Sequence, residues 1–359
     1  MNKDFFRKKR VLVTGHTGFK GSWLTLFLSE LGSEIMGISL APKTSRDFYV
    51  VNELDRFCDS QICNLSDYQT IQKKITGFQP DLVFHLAAQP LVRYSYINPL
   101  ETYQTNVMGT ANLLESIKNI KPKCAIIIIT TDKVYHNEEW YYPYRESDRL
   151  GGKDPYSASK ACVELLVSSY QHSFFHQQTF ENHQKAVATV RAGNVIGGGD
   201  WSEDRLVPDI IRSIESGTEI IIRNPESIRP WQHILEPLHG YLSLAEHLYN
   251  DPVKYTGAWN FGPYPEEVLT VEEVVKTAIS ILGKGAYRIE KKVNALHEAA
   301  ILKLDISKAL NALHWKPLLS TNEAIRRTVE WYKEFENNKD SIHDYSKKSI
   351  HDYLNLFES

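Results

Sequence analysis

An α/β fold built on a doubly wound parallel sheet is predicted by three features of the sequence. The apolar run Val11-Leu12-Val13 leads into glycines at Gly15, Gly18 and Gly21 that open a helix, a step whose free N–H groups can hold a pyrophosphate. Short apolar runs then alternate with helix-length amphipathic stretches, the order of repeated strand-helix-strand units. Cys124-Ala125-Ile126-Ile127-Ile128-Ile129 has no polar alternation and reads as a strand buried on both faces, as in parallel sheets. Together they specify a Rossmann-type sheet, and the glycine-rich and arginine-bearing sequence after Arg191 adds a smaller, mixed α/β lobe.

A chain of 359 residues with 42% hydrophobic content suffices for one large two-part domain or two domains. Its net charge of −3 and pI near 6.5 advertise neither nucleic acid nor an anionic membrane as partner. Cys58, Cys63, Cys124 and Cys162 show no metal spacing and no paired framework, which predicts reduced thiols, no metal site and a cytoplasmic setting. The basic start from Lys3 to Arg10 is followed by an apolar run broken at Thr14-Gly15, so no secretory signal is expected. No apolar run approaches the roughly 18 residues of a membrane span.

In the first turn, Gly15 is expected to make the tight bend, Gly18 to let backbone approach phosphates, and Gly21 to let helix pack on strand. Thr17, Phe19 and Lys20 complete that cofactor turn. A helix from Ser22 to Leu31, ended by Gly32, precedes a second strand from Glu34 to Leu40. An acidic residue at the end of such a strand often grips the adenosine ribose, but Ser39 stands there, and Lys43 or Arg46 could accept a 2′-phosphate.

Gln61 to Leu65 reads as a third strand, with Asn64 either reading an adenine edge or capping the helix that starts near Asp67. Asp81 to Ala88 is a fourth strand, closing on small residues at Leu86, Ala87 and Ala88 where backbone can pass close to a cofactor. Gln89 to Pro99 follows as a polar, aromatic loop at the ligand-binding end of the sheet. The helix from Leu100 to Ile117 carries Asn106 as an internal brace or as polar surface. The fifth strand delivers Thr130 and Thr131-Asp132-Lys133 to the same rim.

Tyr156 and Lys160 share one face of a helix running to about Gln171. After a sixth strand, Ala186 to Val190, the run Gly193 to Asp200 departs into the second lobe. That lobe has a helix from Leu206 to Ser216 and a strand from Ile220 to Ile222, and Arg205, Arg223 and Arg229 offer local positive charge suited to a diphosphate. Glu236 to Leu248 and Ala258 to Phe261 return to the first lobe, and Glu323 to Phe335 is an amphipathic closing helix. The expected organisation is a cofactor domain at 1–192 plus about 230–262, a second lobe at about 193–229 plus 263–336, and a polar tail at 337–359. In the tail, Ser-Ile-His-Asp-Tyr occurs at Ser341 to Tyr345 and again at Ser349 to Tyr353, read as an exposed helical or mobile segment rather than a metal site.

The chemistry follows from two side-chain sets. Lowering the Tyr156 phenol from about 10 by about 3 units takes about 4 kcal/mol, which Lys160 and an oxidised nicotinamide ring can supply at an effective dielectric near 20. Tyr156 would then accept a hydroxyl proton as hydride leaves. Asp132-Lys133, unless an ordinary turn, adds an acid and a base. Once a sugar C4 hydroxyl is oxidised, Lys133 could remove the acidified C5 proton and Asp132 could protonate the departing C6 hydroxyl, with Thr131 orienting the C4 oxygen. A hydride that returns to C6 recycles the oxidant, which favours NAD.

From about Lys9 to Tyr332 the chain resembles the CDP-glucose 4,6-dehydratase family, extended short-chain dehydrogenases/reductases acting on nucleotide sugars. The motifs are Thr14 to Trp23, His85 to Arg93, Asp154 to Ser157, Arg191 to Trp201 and Ile228 to His233, with Lys133 where the dTDP-glucose enzymes have Glu. The resemblance implies tightly held NAD, CDP-glucose as substrate and CDP-4-dehydro-6-deoxyglucose as product, a precursor of deoxysugars in surface polysaccharides such as lipopolysaccharide O-antigen. It implies a homodimer or higher homo-oligomer packed through the helices near Asn106 and Tyr156. Cofactor contacts carried over are Asn64, Leu65, Leu86, Ala87, Ala88, Gln89 and Thr130 beside the glycine turn, Tyr156 and Lys160; substrate contacts are Arg93, Asn194, Arg205, Leu206, Arg223 and Arg229. Thr130 stands where Ser is usual and Asn64 where Asp is usual. Alternatives are a 4,6-dehydratase or 4-epimerase for another nucleotide hexose, the epimerase needing no acid and base at 132 and 133, or a non-catalytic NAD-sensing protein, which would have lost the Tyr-Lys pair.

Overall fold

In the computed structural model, which describes residues 1–267, 269–290 and 302–357, the apolar runs assemble side by side into one sheet. Its strands are β1 (Arg10–Thr14), β2 (Glu34–Ser39), β3 (Asp59–Ile62), β4 (Leu82–His85), β5 (Cys124–Ile129), β6 (Lys185–Ala192) and β7 (Gly257–Phe261). Every pairing is parallel, and the order is β7-β6-β5-β4-β1-β2-β3. The order reverses between β1 and β4, and at such a switch point the strand ends leave a crevice for ligand. Residues 268, 291–301 and 358–359, which the second-lobe and tail expectations include, lie outside the described residues.

Strand β5 shows why the sheet needs helices on both faces. Ala125, Ile127 and Ile129 join a core on one side, and Cys124, Ile126 and Ile128 join a separate core on the other. The second core lies under α2 (Tyr68–Phe78), α3 (Gly109–Lys118) and α4 (Pro155–Ser173). The first lies under α1 (Phe19–Glu30) and extends into the second lobe, which contains α5 (Leu206–Glu215). Also against the first core are α6 (Leu235–Asn250), α7 (Val271–Leu282), α8 (Thr321–Asn337) and α9 (Ile342–Asn355). Small ladders join segments after Ala192: Val195–Ile196 with Gln232–His233, Ile228–Arg229 with Leu269–Thr270, and Ile220–Ile222 with Tyr287–Ile289.

Several expectations change. The third strand begins at Asp59 and ends at Ile62, and Asn64 does not cap the following helix; Asp67 does, accepting from Thr70 N–H, while Asn64 Oδ1 accepts from Ser66 N–H in a local turn. The expected loop from Gln89 to Pro99 contains a helical turn, Val92–Ile97. The long helix after it widens into a π turn at Gln104–Met108, which turns Asn106 inward as a brace. Asn106 Oδ1 accepts from Gln89 N–H, and its amide donates to Gln89 O and Ser159 Oγ.

The largest correction is the tail. It is helical, as one reading had it, but not exposed on all sides: α9 buries Ile342, Ser346, Ile350, Tyr353 and Leu354, a stripe at helical spacing. Both copies of its repeat dock. His343 stacks on Phe57 and Nδ1 donates to Asn52 O, whereas His351 Nε2 lies 2.8 Å from Glu30 Oε2. Among the described residues no helix is long and apolar enough to cross a membrane, and no cluster of His, Cys, Asp and Glu could hold a metal ion.

Candidate active site

The switch point is built by glycines. Gly15 has φ +74°, and a Cβ there would lie 2.7 Å from Ala87 N, so its absence lets the β1 turn pass against the end of β4. A Cβ on Gly21 would fall 2.0 Å from Gly15 O, so α1 packs on the turn only with glycine. Gly18 meets nothing nearer than Gly15 O at 3.4 Å, which leaves the mouth of the turn open. This cradle at a helix N-terminus fits a dinucleotide pyrophosphate. Thr17 Oγ1 donates to Leu40 O and lies 2.7 Å from Ser39 Oγ, so the end of β2 carries hydroxyls in place of a carboxylate. Phe19 packs into the first core, its ring closely facing Gly197.

Other expected cofactor residues split. Leu86 and Ala87 border the cradle, with Ala87 N–H donating to Thr14 Oγ1, and Ala88 follows directly. The Gln89 side chain bonds Leu91 and Thr102, and Thr130 Oγ1 donates to Glu164 Oε1 at 2.6 Å and to Val190 O, so both side chains brace the rim. Leu65 is buried beneath α3, and exposed Asn64 sits at a turn.

At the end of β5, Asp132 opens a short turn and is 1% exposed. Thr131 Oγ1 donates to its Oδ1 at 2.8 Å, and Lys133 Nζ reaches the same oxygen at 3.2 Å. Its other oxygen, Oδ2, is buried without a hydrogen-bond partner. That oxygen occupies space only glycine allows, because a Cβ on Gly193 would lie 2.1 Å from it.

Helix α4 brings the phenol to this carboxyl. Asp154 caps it through Ser157 N–H, Pro155 fills the first turn, and Ser95 Oγ accepts from Tyr156 N–H. Burial pushes the Tyr156 phenol above its ordinary 10; Lys133, the Thr131 hydroxyl and Arg205 act downward, and Asp132 upward. Lys160, expected to act on the phenol together with an oxidised nicotinamide ring, donates through Nζ to Ile129 O at 3.1 Å. Burial brings Lys160 down to about 8, with Glu164 acting upward. Lys20 faces the same cluster, lowered to about 7 by burial and by Arg205, Lys160 and Lys133, with Asp132 opposing.

Sequence reasoning missed the pair beneath. Glu164, one turn beyond Lys160, takes Arg191 through Nε at 2.9 Å and Nη2 at 3.0 Å and also accepts from Thr130 and Thr189. Arg191 goes on to Tyr135, whose hydroxyl donates to Asn260 Oδ1. The visible signal was a Glu four residues past Lys160 on the same helix face.

The substrate-side residues fall in two groups. A cavity of about 570 Å³ beside α5 is lined by Leu206 and Arg223 together with Asp204, Asp209 and Arg288. Asp204 lies 2.6 Å from Arg93 and 3.9 Å from Arg223, so the two arginines meet on one carboxylate. Arg205 bonds Asp200 at 2.8 Å; burial opposes the Asp200 charge, but Arg205 and Ser202 hold its carboxyl below the usual range. Asn194 has φ +43° and a buried Nδ2 without a partner, and Arg229 donates to Ile228 O.

Residues 12–328 match the family model described as GDP-mannose 4,6 dehydratase. The chain is 47% identical over 354 residues to the CDP-glucose 4,6-dehydratase of Salmonella typhimurium, covering 99% of this chain and 98% of that one. It is 26% identical over 332 residues to the UDP-glucuronate 4-epimerase of Thermodesulfobacterium geofontis, covering 90% and 96%. The fold superposes with a TM-score of 0.79 on a UDP-glucose 4-epimerase structure from Stenotrophomonas maltophila solved with NAD, at 20% identity over 92% of this chain and 99% of that chain. With a family model spanning most of its length and near-complete coverage at 47% identity, the chain belongs to the CDP-glucose 4,6-dehydratase family of nucleotide-sugar dehydratases.

Proposed function

We propose that this 4,6-dehydratase converts CDP-D-glucose to CDP-4-dehydro-6-deoxy-D-glucose and water, using NAD held at the β1–α1 turn. The observation that carries the reading is the Asp132–Lys133 pair beside Tyr156: a buried carboxyl with one uncommitted oxygen, 3.2 Å from an amine. A plain alcohol oxidation or epimerisation needs no such pair.

Gly15, Gly18 and Gly21 would hold NAD at the glycine cradle, where it would supply a hydride acceptor for C4 and a hydride donor for C6. With Lys133 and Arg205 opposing its burial and an oxidised nicotinamide adding positive charge, Tyr156 would take the proton of the C4 hydroxyl, with Thr131 orienting that oxygen. Lys133 Nζ donates to Asp132 Oδ1 at 3.2 Å, a contact along which a proton can pass from the amine to the carboxyl before the elimination. The amine removes the C5 proton, and the acid protonates the C6 hydroxyl, which leaves as water. C5 and C6 are adjacent, so an acid and a base on neighbouring residues match their substituents. The product gains a C4 ketone and a C6 methyl group, and the proton taken from C5 is replaced when C6 receives its hydride.

Arg223, Leu206 and the arginines gathered at Asp204 and Asp200 support a diphosphate and nucleoside site in the cavity beside α5. CDP rather than another nucleoside diphosphate rests on the Salmonella typhimurium relative. The four free thiols suit a cytoplasmic setting. We also propose a homodimer: Ile97 (77% exposed) and Leu100 (84%) lie on the 92–103 turns that pack on α4, and α4 itself exposes Leu165 (62%).

The deciding experiment incubates the protein in parallel with CDP-glucose, dTDP-glucose, UDP-glucose and GDP-mannose and follows products by mass spectrometry and NMR. Loss of water from CDP-glucose alone is expected; an isobaric epimer, or dehydration of another donor only, overturns the assignment. Asp132→Asn and Lys133→Ala should each cut dehydration by about 10²- to 10⁴-fold. Parental rates in both would sink their roles.

A further inference from the structure

The end of β2 offers no acidic residue against a 2′-phosphate, and the segment beyond it contains Arg46, a residue type that receives such a phosphate in NADP enzymes. In this structure that guanidinium is engaged elsewhere. Arg46 Nη1 lies 3.0 Å from Glu215 Oε2 and Nη2 lies 2.5 Å from Oε1, a two-bonded pair with the last residue of α5. Its Cζ is stacked 3.6 Å from the centre of the Trp201 ring, and the Phe335 ring follows at 5.7 Å. The second lobe thus fixes both the charge and the plane of the group.

We propose that Glu215 is a specificity determinant for the cofactor: by holding Arg46 against Trp201 it withholds the guanidinium from a 2′-phosphate, so the chain selects NAD over NADP without a carboxylate at the end of β2. The proposal rests on the NAD reading given above. A phosphate brought to Arg46 also meets the Glu215 carboxylate, and the like charges cancel much of what the guanidinium would contribute. Thr17 and Ser39 are neutral and mutually bonded, so they neither attract nor repel the added phosphate. Lys43 is exposed in the same segment and is the competing phosphate reader.

The test measures NAD and NADP dissociation constants by competition on the full-length protein and on Glu215→Gln, Glu215→Ala and the double variant Glu215→Gln/Arg46→Ala, each checked by its melting curve. Wild type should prefer NAD. Both single variants should tighten NADP about tenfold with NAD unchanged, and the double variant should return NADP to the wild-type value. Unchanged NADP affinity in the single variants overturns the proposal, as does a gain that survives loss of Arg46, which would assign the role to Lys43. Equal affinity of the wild type for both cofactors would instead sink the NAD reading, and the proposal with it.

Discussion

Asp132 is held by asymmetric surroundings: Oδ1 is shared by Thr131 and Lys133, whereas Oδ2 has only the space left by Gly193. Gly193→Ala would put a methyl group 2.1 Å from that oxygen and force the carboxyl to turn. Overpacking of this kind costs about 1–3 kcal/mol, a few degrees of melting temperature in a chain this size. Misplacement of a reacting group by about 1 Å costs about 10²-fold in rate. The expected result is a folded variant with undiminished NAD binding and about a hundredfold lower dehydration rate; an undiminished rate would show that the carboxyl need not stand there. That Tyr156 and Lys160 share a helix and Asp132-Lys133 ends a strand was legible in sequence, because spacing along a helix and position at a strand end follow from local geometry. The approach of Arg205 to Tyr156 was not legible, since Arg205 lies 49 residues further along the chain.

Among the elements, the C-terminal helix shows how a polar segment becomes core. Tyr353 of α9 donates to Glu236 Oε2 of α6, whose Oε1 accepts the N–H groups of Leu318 and Leu319. Burial raises the Glu236 carboxyl to about 7, above its ordinary 4.5, despite those donors. Between about pH 4.5 and 7 the folded state therefore binds more protons than the unfolded one, so this group's contribution is full below that window and lost as pH rises through 7. Glu236→Gln keeps a neutral acceptor there and should remove that loss. Relative to wild type, the variant should gain about 2–3 kcal/mol in urea unfolding on going from pH 5 to pH 8. Parallel pH dependences in the two proteins would refute the assignment. The docking of α9 was hidden because its repeat drew the eye to His-Asp pairs, while the buried stripe is interrupted by Ser346, a residue whose hydroxyl accepts from Trp331 Nε1.

For the whole molecule, the exposed apolar side chains Ile97, Leu100 and Leu165 on two elements packed against each other predict association of two copies. Leu100→Glu introduces a charge whose burial at an interface is unfavourable without a partner. It should halve the mass measured by light scattering after gel filtration while the far-ultraviolet circular dichroism stays native. A parent protein that is already monomeric would refute the dimer, and a dimeric variant would exclude this residue from its centre.

The doubly wound parallel sheet, the glycine turn and the family were readable from the chain alone, because periodicity, glycine conformation and spacing within one element are local properties; the order of the strands was not. Tertiary structure decided which of the candidate residues are free to act. It committed Thr130 and Gln89 to bracing, gave Lys160 to a backbone carbonyl, turned Asn106 inward through a π turn and locked Arg46 onto the second lobe. It also folded the supposed tail against the core, with the Tyr353 hydroxyl on a carboxylate from α6. These outcomes depend on hydrogen-bond partners and buried surfaces distant in the chain, and a buried polar group takes its role from the partner that satisfies it.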